Sequence, residues 1–131
     1  MKKQLYLFLI GMCVIGMVHG QTILNNEWLL VEIGKEKLTT DAEKTPYITL
    51  SEGRLSGFSG CNRLIGSYVL EGEILTFSRV GGTKMFCFDV QDLETQFMQS
   101  LEKTHYWKYK CKKLYFFDED KVLTMKFKIK Q

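Results

Sequence analysis

Residues 123–130 have the sequence L-T-M-K-F-K-I-K, in which apolar and polar side chains alternate. The apolar members are Leu123, Met125, Phe127 and Ile129. Because successive side chains of a β-strand point to opposite faces of the sheet, this order predicts a strand with an apolar face and a lysine-rich face. The chain is therefore expected to build its fold on a sheet that buries one side.

A second alternating segment lies upstream, where Trp107, Tyr109 and Cys111 alternate with Lys108, Lys110 and Lys112. Its phase predicts that Cys111 is a buried thiol. If both segments are strands of one sheet, their lysines form a basic patch that could meet acidic lipid or an anionic glycan. The alternative interpretation is a solvated face that also protects an edge strand from aggregation.

Two hairpins are predicted in the first half of the chain. Segments 47–50 and 54–58 flank Ser51-Glu52-Gly53, and segments 67–70 and 74–77 flank Glu71-Gly72-Glu73. A three-residue loop with a glycine suits the left-handed position of a hairpin bulge. Residues 28–33 are rich in large apolar side chains and are expected to form a strand buried on both faces. Hairpins in succession indicate an antiparallel meander.

One amphipathic helix is predicted from Asp89 to about Lys103. Its apolar residues recur every three or four positions, at Val90, Leu93, Phe97 and Leu101. This spacing places them on one face of a helix, and Asp89 is expected to cap the first turn. A single sheet needs a cover for its apolar face, so we expect the helix to pack on the sheet rather than to bind a partner.

The first twenty residues have the features of an export signal. Two lysines at positions 2 and 3 precede an uncharged apolar run over residues 5–18, and Gly20 closes it. At about 14 residues the run is shorter than the ~20 that span a bilayer, which favours a cleaved signal over an anchor helix. We expect residues 1–20 to be removed and residues 21–131 to form one domain in the periplasm or cell envelope, or outside the cell.

Removal of the signal changes the charge and the set of reactive side chains. The net charge falls from +3 to about +1, which argues against a nucleic-acid partner. His105 is then the only histidine, and Cys61, Cys87 and Cys111 remain. An oxidising compartment favours one disulfide among these cysteines, with three pairings open. Their spacing is unlike that of structural zinc sites, so no metal or cofactor is predicted.

Two glycine-containing segments are unusual: residues 55–68, LSGFSGCNRLIGSY, and residues 81–87, GGTKMFC. The first is not a nucleophile elbow, because Cys61 stands where the last glycine of that motif belongs. The second lacks the GxxxxGK[ST] order of a phosphate loop, and no helix pattern begins directly after it. Neither segment predicts catalysis.

Together these segments resemble the META domain, the family of HslJ-type heat-inducible envelope proteins. The matching residues are GCNR at Gly60, Cys61, Asn62 and Arg63, then Gly66 and Tyr68 of G-S-Y, and Thr83, Lys84, Met85 and Cys87 of T-K-M-x-C. The amphipathic helix follows them, and the likeness spans about Leu24 to Phe127. Phe86 departs from the pattern, because a small residue is common at that position.

The resemblance implies an α+β fold in which a strongly curved, open barrel-like antiparallel β-sheet wraps around one amphipathic helix. It also implies a disulfide between the two motif cysteines, Cys61 and Cys87, with Cys111 left reduced. Family members are associated with heat-shock response, motility or virulence. None of these associations is a chemical reaction, so fold and family leave the molecular activity open.

Two classes of function remain. The preferred one is a non-enzymatic envelope protein that binds a protein or lipid component in or beside its sheet, with aromatic side chains lining the concave face. Such a protein would associate with a membrane without spanning it. The other is an enzyme with Cys111 as nucleophile and His105 as base, because neighbouring strands could bring the two together. No third orienting residue is evident, so we predict no enzyme.

Overall fold

The computed structural model describes residues 23–39 and 43–130. The expected signal peptide, residues 1–20, lies outside the described residues. The described elements are, in order, β1 Glu27–Ile33, β2 Glu36–Lys37, β3 Tyr47–Ser51, β4 Arg54–Phe58, β5 Arg63–Glu71, β6 Ile74–Gly82, α1 Gln91–Lys103, β7 Tyr106–Lys110, β8 Lys113–Phe117 and β9 Leu123–Ile129.

The nine strands form one antiparallel sheet in the order β2-β1-β3-β4-β5-β6-β7-β8-β9. Strand β9 also pairs with β1, which closes the sheet into a ring. The shortest strand pairing of the ring is that between β6 and β7, where Ile74 and Tyr106 form the one pair in register. The expectation of an α+β fold with a curved antiparallel sheet and one helix is confirmed.

The inner face of the ring and the helix share one core. Trp28, Phe116 and Phe127 of the sheet and Phe97 and Leu101 of α1 are fully buried. The rings of Phe116 and Phe127 lie 4.9 Å apart between centroids, within the usual range for packed aromatic pairs. The aromatic residues of the concave face thus form the core, and the expected lining of a ligand site there was wrong. The helix packs on the sheet, as predicted.

The start of the helix differs from the prediction. A single 3-10 turn over Phe88–Val90 precedes α1, and no side chain caps the first helical turn. Asp89 instead accepts a hydrogen bond from the Lys44 ammonium at 2.5 Å, and this contact lowers the pKa of Asp89 from its ordinary value of 3.8. The cap prediction was wrong because a residue distant in sequence binds the carboxylate.

The strands also reach further than predicted. Strands β5 and β6 extend over nine residues each, and the register between them shifts between Ile65 and Ser67, around Gly66. The glycine-containing segment 55–68 therefore consists mostly of strand, with its sharp bend confined to residues 59–62. Strand β1 alternates between buried and half-buried residues rather than being buried on both faces.

Candidate functional site

The two motif segments meet at one end of the sheet, and the side chain of Asn62 joins them. Its Oδ1 accepts hydrogen bonds from the Met85 backbone N–H at 2.7 Å and from the Thr83 hydroxyl at 2.8 Å. Its Nδ2 donates to the Met85 carbonyl at 3.0 Å and to Glu94 Oε2 at 2.7 Å. The turn between β4 and β5 is thereby tied to the segment after β6 and to α1.

Ser59 and Glu94 complete this buried network. The Ser59 hydroxyl accepts from the backbone N–H of Asn62 at 2.8 Å and donates to the Glu94 carboxylate. Glu94 is only 9% exposed, so its carboxylate depends on these donors for solvation. Neither residue was predicted as part of the site. The sequence does hold one indication that Glu94 is buried. It lies three residues before buried Phe97 and interrupts the apolar stripe of the helix.

Cys61 and Cys87 form a disulfide in the structure, with their Cα atoms 5.8 Å apart. This is the pairing that the family resemblance implied. The bond adds a covalent link to the hydrogen bonds of Asn62, so that the segment after β6 is held at both Met85 and Cys87. The network and the disulfide are thus structural devices that fix one loop.

Two glycines of this region are required by geometry. Gly60 has a φ of +98°, a backbone conformation that side chains disfavour. At Gly82, an added Cβ would lie 1.9 Å from the carbonyl oxygen of Arg63 on the adjacent strand. The tight turn and the close strand contact place the two motif segments side by side.

The remaining motif residues lie outside the hydrogen-bond network of Asn62. Arg63 and Lys84 are exposed, whereas Gly66 lies at the bulge of β5. Tyr68 is half-buried against the core, opposite Phe77 of β6, and does not join the Asn62 network. The motif thus separates into a packed cluster and a set of residues that shape or flank it.

Three large apolar side chains project from the fixed loop into solvent. Met85, Phe86 and Phe88, here called the apolar tip, are 59%, 71% and 87% exposed. The rings of Phe86 and Phe88 lie 6.4 Å apart between centroids. The departure from the family pattern at Phe86 therefore does not disturb the packing around Cys87. Instead it places a second aromatic ring at the surface.

His105 and Cys111 do not form a catalytic pair. They lie at opposite ends of β7, about 20 Å apart at ~3.3 Å per residue. Cys111 is exposed in the β7–β8 turn, where its φ is 51°, and it is not a free thiol. The predicted buried, reduced Cys111 was therefore wrong. The strand ends at Lys110, and the chain turns before the alternation can carry Cys111 to the inner face.

The predicted basic patch exists, but with a different composition. Strand β8 lies between β7 and β9, and its Lys113 stands directly opposite both Lys110 of β7 and Lys128 of β9. These three residues are here called the lysine row. The patch therefore includes Lys113 from a third strand in addition to lysines of β7 and β9.

Neither a metal site nor a membrane-spanning helix is found in the described part of the chain. No group of three or more histidine, cysteine or acidic residues is arranged there to hold a metal ion. None of the described helices is both long enough and apolar enough to cross a membrane.

Comparison with known proteins gives one family and several similar folds. The family model of the META domain matches residues 21–130. A protein from Burkholderia xenovorans, solved by NMR, is 24% identical, with a TM-score of 0.70 over 85% of this chain and 86% of that one. A DUF4847 family protein from Bacteroides vulgatus, solved by crystallography, is 14% identical, with a TM-score of 0.61 over 82% and 94%. At these identities the likeness to solved structures concerns the fold alone. No curated protein matches.

Proposed function

The chain belongs to the META domain family, and we propose that it is a non-enzymatic protein of the cell envelope that binds a lipid surface through its apolar tip. The observation that carries this proposal is the exposure of Phe86 and Phe88, at 71% and 87%. Export by the N-terminal signal and a role in the stress response, which the family resemblance suggests, belong to the same proposal.

The tip is ordered before it meets a ligand. The Asn62 side chain binds both the N–H and the carbonyl of Met85, and the disulfide fixes Cys87, which lies between Phe86 and Phe88 in the sequence. A surface that is already ordered loses little conformational freedom on binding. A rigid apolar projection therefore favours binding more than the same side chains on a mobile loop would.

The size and shape of the tip favour lipid over a second copy of the chain. From their exposed fractions, the three side chains present roughly 400 Å² if each has a total area near 200 Å². A stable protein interface buries ~800 Å² on each partner, about twice as much. A fluid bilayer imposes no such requirement, because lipid tails adapt their shape to a projecting side chain.

The charged residues around the tip suit the headgroup region. Lys84 and Arg63 are exposed beside it, and long basic side chains can keep their charge in the headgroup layer while their stems contact apolar groups. Lys44 and Asp89 pair with each other at 2.5 Å, and Asp92 is exposed on the first helical turn. Because these charges largely offset one another, we expect apolar insertion rather than net charge to provide most of the affinity.

The proposal is tested by flotation of the exported protein with phosphatidylcholine vesicles, with and without phosphatidylglycerol. The test variant carries Phe86→Ser and Phe88→Ser. The matched control carries Val69→Ser and Val122→Ser, which remove two side chains that are 52% and 57% exposed elsewhere. Full burial of a large apolar side chain contributes about 1.5–3 kcal/mol, so the test variant should lose at least a hundredfold in vesicle partitioning.

The control variant should bind vesicles like the parent protein. Equal binding by the parent and the test variant would refute lipid insertion by the tip. Recovery of one stoichiometric envelope protein by the parent but not by the test variant, without vesicle binding, would replace the lipid by a protein partner. Thermal unfolding of both variants checks that each is folded, since substitutions at exposed positions usually change stability by less than about 0.5 kcal/mol.

A further inference from the structure

The lysine row places like charges directly opposite one another on three adjacent strands. Lys110 pairs in register with Lys113, and Lys113 pairs in register with Lys128. Side chains paired in this way have Cβ atoms about 4.5–5.5 Å apart, and like charges at this distance destabilise a sheet. Alternation requires only a polar residue at each position, so nothing in the fold itself demands three opposed lysines.

No acidic side chain neutralises the row within the described residues. The nearby ion pairs involve other lysines: Lys126 binds Glu32 at 3.5 Å and Lys130 binds Glu27 at 3.0 Å. Lys108 is exposed on the same face of β7, two residues from Lys110, and Lys112 is exposed in the adjoining turn. The row is therefore the centre of a cluster of five lysines without a carboxylate partner in the described part of the chain.

Protection of a sheet edge does not explain the row. Strand β8 is paired on both sides, with β7 and β9, and β9 is paired with β8 and β1. Lys113 and Lys128 thus lie in the interior of the sheet. Charged residues that prevent aggregation are needed on unpaired edges, so this role could apply only to the lysines of β7.

We propose that the lysine row binds an extended acidic polysaccharide laid across strands β7, β8 and β9. The row runs across the three strands because its members are paired in register, and its charges repeat at the ~4.8 Å spacing of the strands. A linear polymer with one carboxylate on each sugar can meet several ammonium groups in succession. The bound carboxylates would also remove the repulsion within the row.

The lysine row and the apolar tip lie on different strands of the ring. The loop of the tip leaves β6 at Gly82, whereas β7 meets β6 at Ile74 and continues away from that loop to Lys110. Around the other side of the ring, Lys128 shares a row of the register with Arg63 beside the tip, four strand spacings or roughly 19 Å away. The unneutralised charge of the row is present whether or not the tip enters lipid.

The test measures binding of polygalacturonate to the exported protein by calorimetry at low and high salt. The test variant carries Lys110→Gln, Lys113→Gln and Lys128→Gln, and the control carries Lys35→Gln, Lys37→Gln and Lys103→Gln, which removes the same charge from exposed positions elsewhere. We expect the parent and control to bind, more weakly as salt rises, and the test variant to bind at least tenfold more weakly. The test variant should also melt at a higher temperature than the control, because opposed charges are removed.

Three results would overturn the proposal. The first is no binding of polygalacturonate by the parent, and the second is an equal loss of binding in the test and control variants, which would indicate attraction by net charge alone. The third is a row that is needed for binding to phosphatidylglycerol vesicles but not to polygalacturonate, which would make the ligand a lipid headgroup. If the test variant fails to fold, Lys113→Gln alone should still give a measurable part of the loss.

Discussion

Replacement of Asn62 by alanine should destabilise the protein strongly, because one side chain makes four hydrogen bonds between three parts of the fold. Its partners are the hydroxyl of Thr83, the N–H and carbonyl of Met85, and the carboxylate of Glu94. Asn62 itself is 7% exposed. Asn62→Ala therefore leaves several polar groups without a partner in a place that water reaches poorly.

The size of the effect follows from the kinds of bond that are lost. A neutral hydrogen bond contributes about 1 kcal/mol net, and one to a charged group about 1.5–3 kcal/mol. Three neutral bonds and one to a carboxylate give an expected loss of about 4.5–6 kcal/mol. Domains of this size are usually stable by about 5–15 kcal/mol, so the variant should lose a large part of its stability and unfold at a much lower urea concentration.

Urea denaturation of the parent, Asn62→Ala and the exposed helix control Gln99→Ala measures this loss. The control should lie within about 0.5 kcal/mol of the parent, and the slope of the transition should stay the same in all three proteins. A loss below about 1 kcal/mol for Asn62→Ala at unchanged slope would refute the view that Asn62 holds the two motif segments together.

The isosteric change Asn62→Asp tests whether a negative charge beside Glu94 makes the stability fall as pH rises. It keeps the acceptor atom but places a second carboxylate against Glu94. Repulsion between two carboxylates makes the folded state bind protons more readily than the unfolded state, so the stability of this variant should fall as pH rises through the acidic range. Denaturation at several pH values measures this slope relative to the parent. A difference in stability between the two proteins that does not change with pH would show that the two carboxylates do not interact.

Three further predictions concern the surroundings of the network. Non-reducing peptide mapping of the protein should recover a peptide that links Cys61 to Cys87, and a Cys87–Cys111 peptide would contradict the pairing. Removal of the bond by Cys87→Ser should cost about 3.5 kcal/mol in the chain-entropy model for a loop of about 27 residues. Gly82→Ala should lower the melting temperature markedly, since its Cβ would lie 1.9 Å from a carbonyl oxygen, while Gly72→Ala, which meets no atom within 4 Å but has a strained φ of +58°, should lower it less. NMR titration of the Asp89 carboxyl should give a pKa below 3.8 because Lys44 donates a hydrogen bond to it, and Lys44→Gln should raise this pKa; an unchanged value would show that the ion pair does not form in solution.

The elements that depend on local pattern were predictable from the sequence. Alternation located β9, and the three- and four-residue spacing located α1, because a buried face imposes its period on the chain. Pairing in register was not predictable in this way. The sequence offers no local signal that Lys113 stands between Lys110 and Lys128, since the contact depends on where the β7–β8 turn falls.

The candidate site was predictable only in part. The motif resemblance located Asn62 and the two cysteines. It does not include Glu94, the buried carboxylate that accepts hydrogen bonds from Asn62 and Ser59. The apolar tip was not predicted either, since Phe86 and Phe88 have the side chains of core residues. The disulfide and the Asn62 bonds hold the loop at Cys87 and Met85, and neither contact can be read from the side chains of Phe86 and Phe88 themselves.

The most direct test of lipid binding by the apolar tip is NMR of the isotopically labelled chain of residues 21–131 with vesicles that carry spin-labelled lipid. The spin label broadens the signals of residues near the bilayer. We predict broadening centred on residues 83–88 and little effect on Lys110, Lys113 and Lys128, which lie on β7, β8 and β9. Broadening centred on the lysine row, or none at vesicle concentrations that bind the protein, would contradict the proposal that the tip enters the lipid surface.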